Sequence, residues 1–226
     1  MQERIRAEGG EQGEGKVLRN KPDIRAAIIL ISSTLLLIVS HYHRVLDDET
    51  LSAIVFYALA PLAIIVFVLR EDPRSFGLRL GHWRKGALFS LLGLVLMAVV
   101  IAGLARTTEF RQYYRLDTLR EADSRGLVEF ALRMGVYMFS WEFIFRGFML
   151  FGLKERCGSL AIWIQAIPFA IMHLGKPELE TLSTIFGGAA FAYVDLESGS
   201  ILPSVVIHWG IYMMMVLAAS SALPGL

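Results

Sequence analysis

The chain has 226 residues, of which 55% are hydrophobic and 19% charged. Soluble domains are roughly one quarter charged, so an ordinary soluble domain is excluded. Twenty-two Lys and Arg against 21 Asp and Glu leave no basic surplus for nucleic acid, and one cysteine, Cys157, excludes a disulfide-stapled domain.

Residues 1–23 are polar and Gly-rich without an apolar period, and read as a disordered cytoplasmic tail. The stretch is too long and too acidic for a signal-peptide n-region, so no cleavage is expected. A membrane domain is predicted over 24–220. Apolar runs follow at 24–46, 51–69, 86–105, 127–152, 158–173, 182–194 and 200–217. A membrane-spanning helix needs about 20 apolar residues, with a range of about 17–25. Five runs meet or approach this. The runs at 158–173 and 182–194 are short, and are expected to tilt, to extend into their flanks or to sit inside the bundle. Runs 51–69 and 86–105 show no polar face at period 3.6, which argues against a soluble bundle. The predicted fold class is an all-α polytopic transmembrane bundle of about seven spans, within a range of six to eight.

Seven spans with the N-terminus inside place thirteen Lys and Arg on inner segments and seven on outer ones. The positive-inside rule therefore predicts a cytoplasmic N-terminus. The expected location is the plasma (inner) membrane of a prokaryote. The segment 106–126 mixes five basic and four acidic residues with Tyr113 and Tyr114, the pattern of an interfacial helix.

Apart from Arg25 and Arg44 at the two ends of the first run, only Glu129, Arg133, Glu142 and Arg146 of all Lys, Arg, Asp and Glu residues fall inside predicted spans. Glu129 and Arg133, four apart, predict an ion pair near the outer end of the fourth run. Glu142 and Arg146, also four apart, share a face near mid-membrane. A charge there costs several kcal/mol and turns to a bundle interior, a partner or a water-filled cavity. Two histidines lie at similar depth. His173 ends the fifth run and His208 lies in the seventh, each five residues after a proline (Pro168, Pro203). Each ionisable residue alone reads as a structural group. Together, three helices deliver one carboxylate and two imidazoles to the middle of the bilayer. Such a set activates water in one of two ways. The carboxylate serves as general base while the imidazoles orient water and stabilise the oxyanion. Alternatively Glu142, His173 and His208 ligate zinc with one open position. No HExxH motif supports the zinc route.

These residues carry a resemblance. Trp141-Glu142-Phe-Ile-Phe-Arg146-Gly147, then Phe169-Ala-Ile-Met-His173, then His208-Trp-Gly-Ile-Tyr212 are similar in order and spacing to the EExxxR, FxxxH and HxxxN motifs of the CAAX prenyl protease type II family, also called CPBP intramembrane glutamic endopeptidases. Phe76-Gly77-Leu78 with Trp83 and Gly86, and Gly199-Ser200-Ile-Leu-Pro203, extend the likeness over about 70–215. The resemblance implies an all-helical membrane endopeptidase, with its site open to a cavity on the cytoplasmic side. This chain departs from the motifs twice. Trp141 stands where the family has its first Glu, and neighbouring helix positions point about 100° apart, so Glu142 does not inherit that position. Tyr212 stands in place of Asn, and its phenol donates a hydrogen bond as an amide does.

The expected function is hydrolysis of a peptide bond in a membrane-anchored protein or peptide, prenylated or C-terminally sorted, with no cofactor required and zinc as the alternative. Glu142 is expected to activate water, His173 to hold it, His208 with Tyr212 to stabilise the oxyanion, and Arg146 to set the charge and position of Glu142. Two other functions fit the same residues. One is a non-catalytic scaffold or immunity-type protein, supported by Trp141. The other is an ion- or proton-coupled transporter, against which stands the lack of an inverted repeat. The segment His173–Glu180 reads as a solvated loop, with a gate supported by Glu180 as the functional alternative. Gly187, Gly188, Ala189, Ala190 and Ala192 predict close helix packing.

Overall fold

The computed structural model describes residues 24–116 and 123–221. The predicted tail, 1–23, and part of the basic segment lie outside the described residues. Among those described, the chain is all-helical: α1 (Ile24–Tyr42), α2 (Glu49–Leu69), α3 (Trp83–Leu104), α4 (Thr108–Tyr114), α5 (Ser124–Cys157), α6 (Leu160–Ile171), α7 (Glu178–Ser198) and α8 (Leu202–Ser221). Five of these, α1, α2, α3, α5 and α8, are long and apolar enough to cross a membrane. All seven predicted runs are helices, and α4 supplies a short helix in the segment read as interfacial.

The run read as 127–152 is the middle of a much longer helix. At about 1.5 Å per residue, the 34 residues of α5 extend for about 51 Å. Its stretch Phe143–Phe151 is π-helical and wholly buried, with Phe143, Phe145, Phe148 and Leu150 on the sides of the helix. One helix can be apolar all round only where neighbours enclose it. Here α5 is the central post, with α1, α2, α6, α7 and α8 packed about it. By contrast α3 turns Leu88, Leu91, Val95 and Val99 outward as a lipid-facing side.

Local sequence sets the corners. Asp48 caps α2, its carboxylate accepting from Leu51 N–H at 2.9 Å. The same Asp48 pairs with Arg133 of α5, whose Nε also donates to Thr50 Oγ1 at 3.1 Å. The ion pair expected between Glu129 and Arg133 is therefore replaced. A cap carboxylate on the adjacent helix corner is in reach and brings a hydroxyl with it. Arg25 forks onto Glu71 (Nε–Oε1 2.6 Å, Nη2–Oε2 2.8 Å) and also donates to Gly152 O, tying the start of α1 to α5. The segment after α2 then folds beneath the α7–α8 junction. Ile201 N–H donates to Gly77 O at 3.2 Å, His82 N–H to Ser198 O at 2.7 Å and Arg79 Nε–H to Gly199 O at 2.8 Å. Of the small-residue surface predicted on α7, Gly188 packs on α6, whereas Gly187 and Ala190 line a cavity. A Cβ at Gly188 would lie 3.0 Å from Phe169, and Gln165 Nε2 donates to Gly188 O at 3.1 Å.

Two stability measurements test this scaffold. Gly81 has φ +56°, and a Cβ there would lie 2.2 Å from Ser198 O; Gly158 has φ +54° with open space around it. Gly158 has ψ −134°, outside the left-handed helical region, so Gly158→Ala should cost only that backbone strain, on the order of 1–3 kcal/mol. Gly81→Ala should cost clearly more and lower Tm further in detergent; equal losses would mean the segment does not dock. Hydrogen bonds from Arg25 hold the Glu71 carboxyl below the usual Glu range. That contribution is present at neutral pH and lost as pH falls from the ordinary Glu range through the depressed value. Glu71→Gln should lower stability by about 1 kcal/mol or less at pH 7 and leave it unchanged at low pH.

Candidate active site

The site is built on α5. Glu142 is the last α-helical residue before the π-helical stretch, and both Glu142 and Arg146 are fully buried. Arg146 Nε lies 3.1 Å from Glu142 Oε2. The guanidinium sits 4.0 Å over the Phe169 ring of α6 and 5.2 Å from that of Phe191 of α7. These aromatic faces take up part of the charge that water would otherwise solvate. The other carboxylate oxygen is held from α8: His208 Nδ1 lies 2.6 Å from Glu142 Oε1. Arg146 and His208 thus grip Glu142 from opposite sides.

His173 lies in the turn just past α6, buried, with Nδ1 2.7 Å from Phe169 O. A carbonyl oxygen only accepts, so Nδ1 carries the hydrogen. A carboxylate likewise only accepts, so His208 Nδ1–H donates to Glu142. In both imidazoles, then, Nε2 is left as the nitrogen able to accept a proton. The two rings lie 6.2 Å apart and nearly parallel, at 23°. Both line a cavity of about 900 Å³ between α3, α7 and α8, which follows α3 from Phe89 to Leu104 instead of being confined to one end. Tyr212, one turn beyond His208, lines the same cavity, with its ring against Phe130 (6.4 Å) and Tyr114 (6.5 Å).

The structure thus brings Glu142, Arg146, His208 and His173 together and sets Tyr212 on the shared cavity wall. Glu142 itself stands behind His208 and is not part of that wall. Trp141 points to the other side. Its indole meets His173 edge-on at 5.9 Å and packs between Tyr57 and Tyr137. Two consecutive residues of α5 therefore serve two different histidines. Glu180 bonds with Lys176 (2.9 Å) and with the Tyr114 hydroxyl beside the cavity, and does not contact His173 directly. The link from this turn to His173 is Thr181, whose hydroxyl donates to His173 O at 2.9 Å.

The proposed zinc ligands do not form a metal site as arranged. Among the described residues no group of three or more His, Cys, Asp or Glu is placed to hold a metal ion. His208 Nδ1 is spent on Glu142, and the guanidinium beside the carboxylate would repel a dication.

Two polar residues behind the site escaped the sequence reading. Asp195 of α7 and Ser204 of α8 are both fully buried and bonded to each other, beside Glu142 and Arg146. The sixth apolar run ends at Val194, which places Asp195 in a predicted loop, whereas α7 continues to Ser198. Its place near the C-terminal end of a helix, where the dipole disfavours an anion, was the available signal.

Removing one member of a buried ion pair leaves a charge without compensation. Arg146→Met should therefore destabilise the protein by about 3–5 kcal/mol. The double variant Arg146→Met/Glu142→Gln should regain most of that loss in a thermal-melt cycle. Additive losses would show that the two groups do not interact.

Residues 124–214 match the family model described as Type II CAAX prenyl endopeptidase Rce1-like, and that stretch holds all three motifs. No curated protein and no solved structure matches the chain significantly. The match falls on the helices α5 to α8 that carry the buried Glu142, Arg146 and His173 and the half-buried His208. Residues 124–214 are thus similar to the type II CAAX prenyl proteases, the family that the motifs resemble.

Proposed function

We propose that the chain is an intramembrane endopeptidase that cleaves a peptide bond in a membrane-anchored protein or peptide, and that His208 is the group that activates water. The observation that carries this reading is the bond from His208 Nδ1 to the enclosed Glu142, which leaves Nε2 toward the cavity. In this reading Glu142 is not itself the base. It fixes the imidazole tautomer and stabilises the imidazolium that forms, as the carboxylate of a Ser-His-Asp triad does.

The steps follow from the geometry. Water is held between the Nε2 atoms of His173 and His208. His208 Nε2 takes its proton as the oxygen attacks the scissile carbonyl carbon. The tetrahedral oxyanion receives a hydrogen bond from the Tyr212 hydroxyl. His208 then returns the proton to the leaving amine as the C–N bond breaks. Arg146 keeps Glu142 ionised and aligned. The apolar cavity between α3 and α7 suits a substrate presented from the bilayer. The N-terminus faces the cytoplasm in this scheme, by the charge asymmetry of the loops, and the membrane is the inner membrane of a prokaryote.

The test uses purified protein in proteoliposomes with a farnesylated CAAX-type peptide, read by mass spectrometry. Wild type should release a C-terminal fragment and His208→Ala should not. Glu142→Gln should keep a residual rate, reduced by about 10⁴-fold, because the base remains but is no longer oriented. Complete loss in Glu142→Gln with activity surviving in His208→Ala would return the base to Glu142. Cleavage unaffected by either substitution would overturn the site.

A further inference from the structure

The cavity that holds His173 and His208 reaches the loops at one end of the bundle and stops short of them at the other. Its wall includes Thr107 and Glu109 at the start of α4, and Lys176 and Pro177 in the turn before α7. Toward the opposite end it stops at Phe89, Val194 and Ile207, and no residue of 70–88 or 195–206 lines it. That end is shut by the bonds that join 77–82 to the α7–α8 junction. Apart from the two histidines and Tyr212, the polar lining residues are Thr107, Glu109, Lys176, Glu180, Ser183 and Thr184, all at the open end. The rest of the wall is apolar. There Leu92 and Leu96 of α3 and Phe186 of α7 line the cavity and stay more than half exposed, so the α3–α7 side is left uncovered.

Side-chain pairs show which loops share each end. The closed end gathers 70–85, 153–157 and 195–199 with the start of α1: Arg25 bonds with Glu71 and Gly152 O, Lys85 pairs with Glu197, and Arg79 bonds with Gly199 O. The open end gathers the others: Arg133 pairs with Asp48, Tyr114 bonds with Glu180, and Leu116 N–H donates to Ser220 Oγ. The long helices therefore alternate in direction, as the loop count assumes. The segments that meet the closed end, with the one leading into α1, carry thirteen Lys and Arg, against seven for the segments of the open end. Basic loops stay in the cytoplasm. The closed end is then the cytoplasmic one, and the polar rim of the cavity faces the other side.

We infer that the histidine pair is reached from the extracytoplasmic face, and that the substrate is an exported protein or peptide held by an apolar segment, with a hydrophilic stretch beside the scissile bond on that face. The apolar segment lies along α3 toward Phe89, entering from lipid between α3 and α7. The hydrophilic stretch leaves by the rim of Thr107, Glu109 and Lys176. An extended backbone cannot lie in lipid with its N–H and C=O groups unpaired, and only this end of the cavity offers polar partners and a path for the water that hydrolysis consumes. This face is opposite to the one that the motif resemblance implies. The substrate class rests on the proposed function; the side on which the cavity opens does not.

Thiol labelling of the full chain in bacterial inner-membrane vesicles tests the access side without a substrate. Cys157 is the one cysteine, so Cys157→Ser gives a clean background for Ser183→Cys at the rim and Ser75→Cys at the closed end, both exposed positions. A membrane-impermeant maleimide should label Ser183→Cys in right-side-out vesicles alone and Ser75→Cys in inverted vesicles alone. Should Ser183→Cys fail to insert, Glu109→Cys on the same rim supplies the reading. Labelling of the rim cysteine in inverted vesicles, or from neither side, would overturn the inference. The substrate arm adds a peptide of about 20 apolar residues with a hydrophilic tail to either kind of vesicle. Right-side-out vesicles should cleave it at least tenfold faster, and maleimide on Ser183→Cys should remove that activity while maleimide on Ser75→Cys leaves it. Equal rates in the two orientations, or a labelled rim that still cleaves at full rate, would overturn the substrate class. Cleavage in neither orientation would overturn the proposed function and this substrate with it, while the labelling still decides the side on which the cavity opens.

Discussion

The enclosure of one carboxylate is the constraint on which the rest of the structure depends. Glu142 has no exposed surface, and neither does Arg146 one turn away. Ions removed from water cost several kcal/mol each unless partners replace the solvent. Here the partners come from separate helices: the guanidinium from α5, the imidazole of His208 from α8, and the faces of Phe169 and Phe191 from α6 and α7. Satisfying Glu142 therefore requires α5 to α8 to meet at one level. The same requirement accounts for the wholly buried aromatic stretch Phe143–Phe151, which closes the low-dielectric interior around the pair.

The position of His208 depends on how α8 enters the bundle. Its first turn is bonded to Asp195 through Ser204, and the residue before it is tied to Gly77 through Ile201. The docked segment 77–82 and the α7–α8 junction form one hydrogen-bonded corner beneath the site. A shift there would move the imidazole away from Glu142, although none of the corner residues touches the cavity chemistry. The two faces of α5 divide the work above that corner. Glu142 supports His208, while Trp141 fills the space beside His173 with its edge against the ring.

Much of this was readable in the chain because a membrane makes charge placement costly. Glu142 and Arg146 stood out by sitting four apart in an otherwise apolar run, and helical spacing alone made them partners. His173 and His208 were legible as residues at comparable depth. Their mutual approach was not, since no local rule relates α6 to α8. Arg133 shows the limit of spacing arguments. Glu129 lay at the favoured separation, yet Asp48 on another element was the better partner because it came with Thr50. Asp195 was missed because hydropathy ended the sixth run one residue early, whereas a helix buried in protein can carry a polar group past that point.

The sequence by itself determined the membrane class, the helical fold, the family motifs and the roles of Glu142, Arg146, His173 and His208 as the ionisable residues inside the bundle, though not that of Asp195. Each follows from local composition or from spacing along one helix. Only the tertiary structure decided which atoms those residues offer one another. Glu142 lies behind His208 rather than on the cavity wall, and Nε2 of each histidine is left to accept a proton. The physical reason is that a donor or acceptor role is settled by the partner at the other end of the bond. For Glu142 and His208 that partner lies 66 residues away on a different helix.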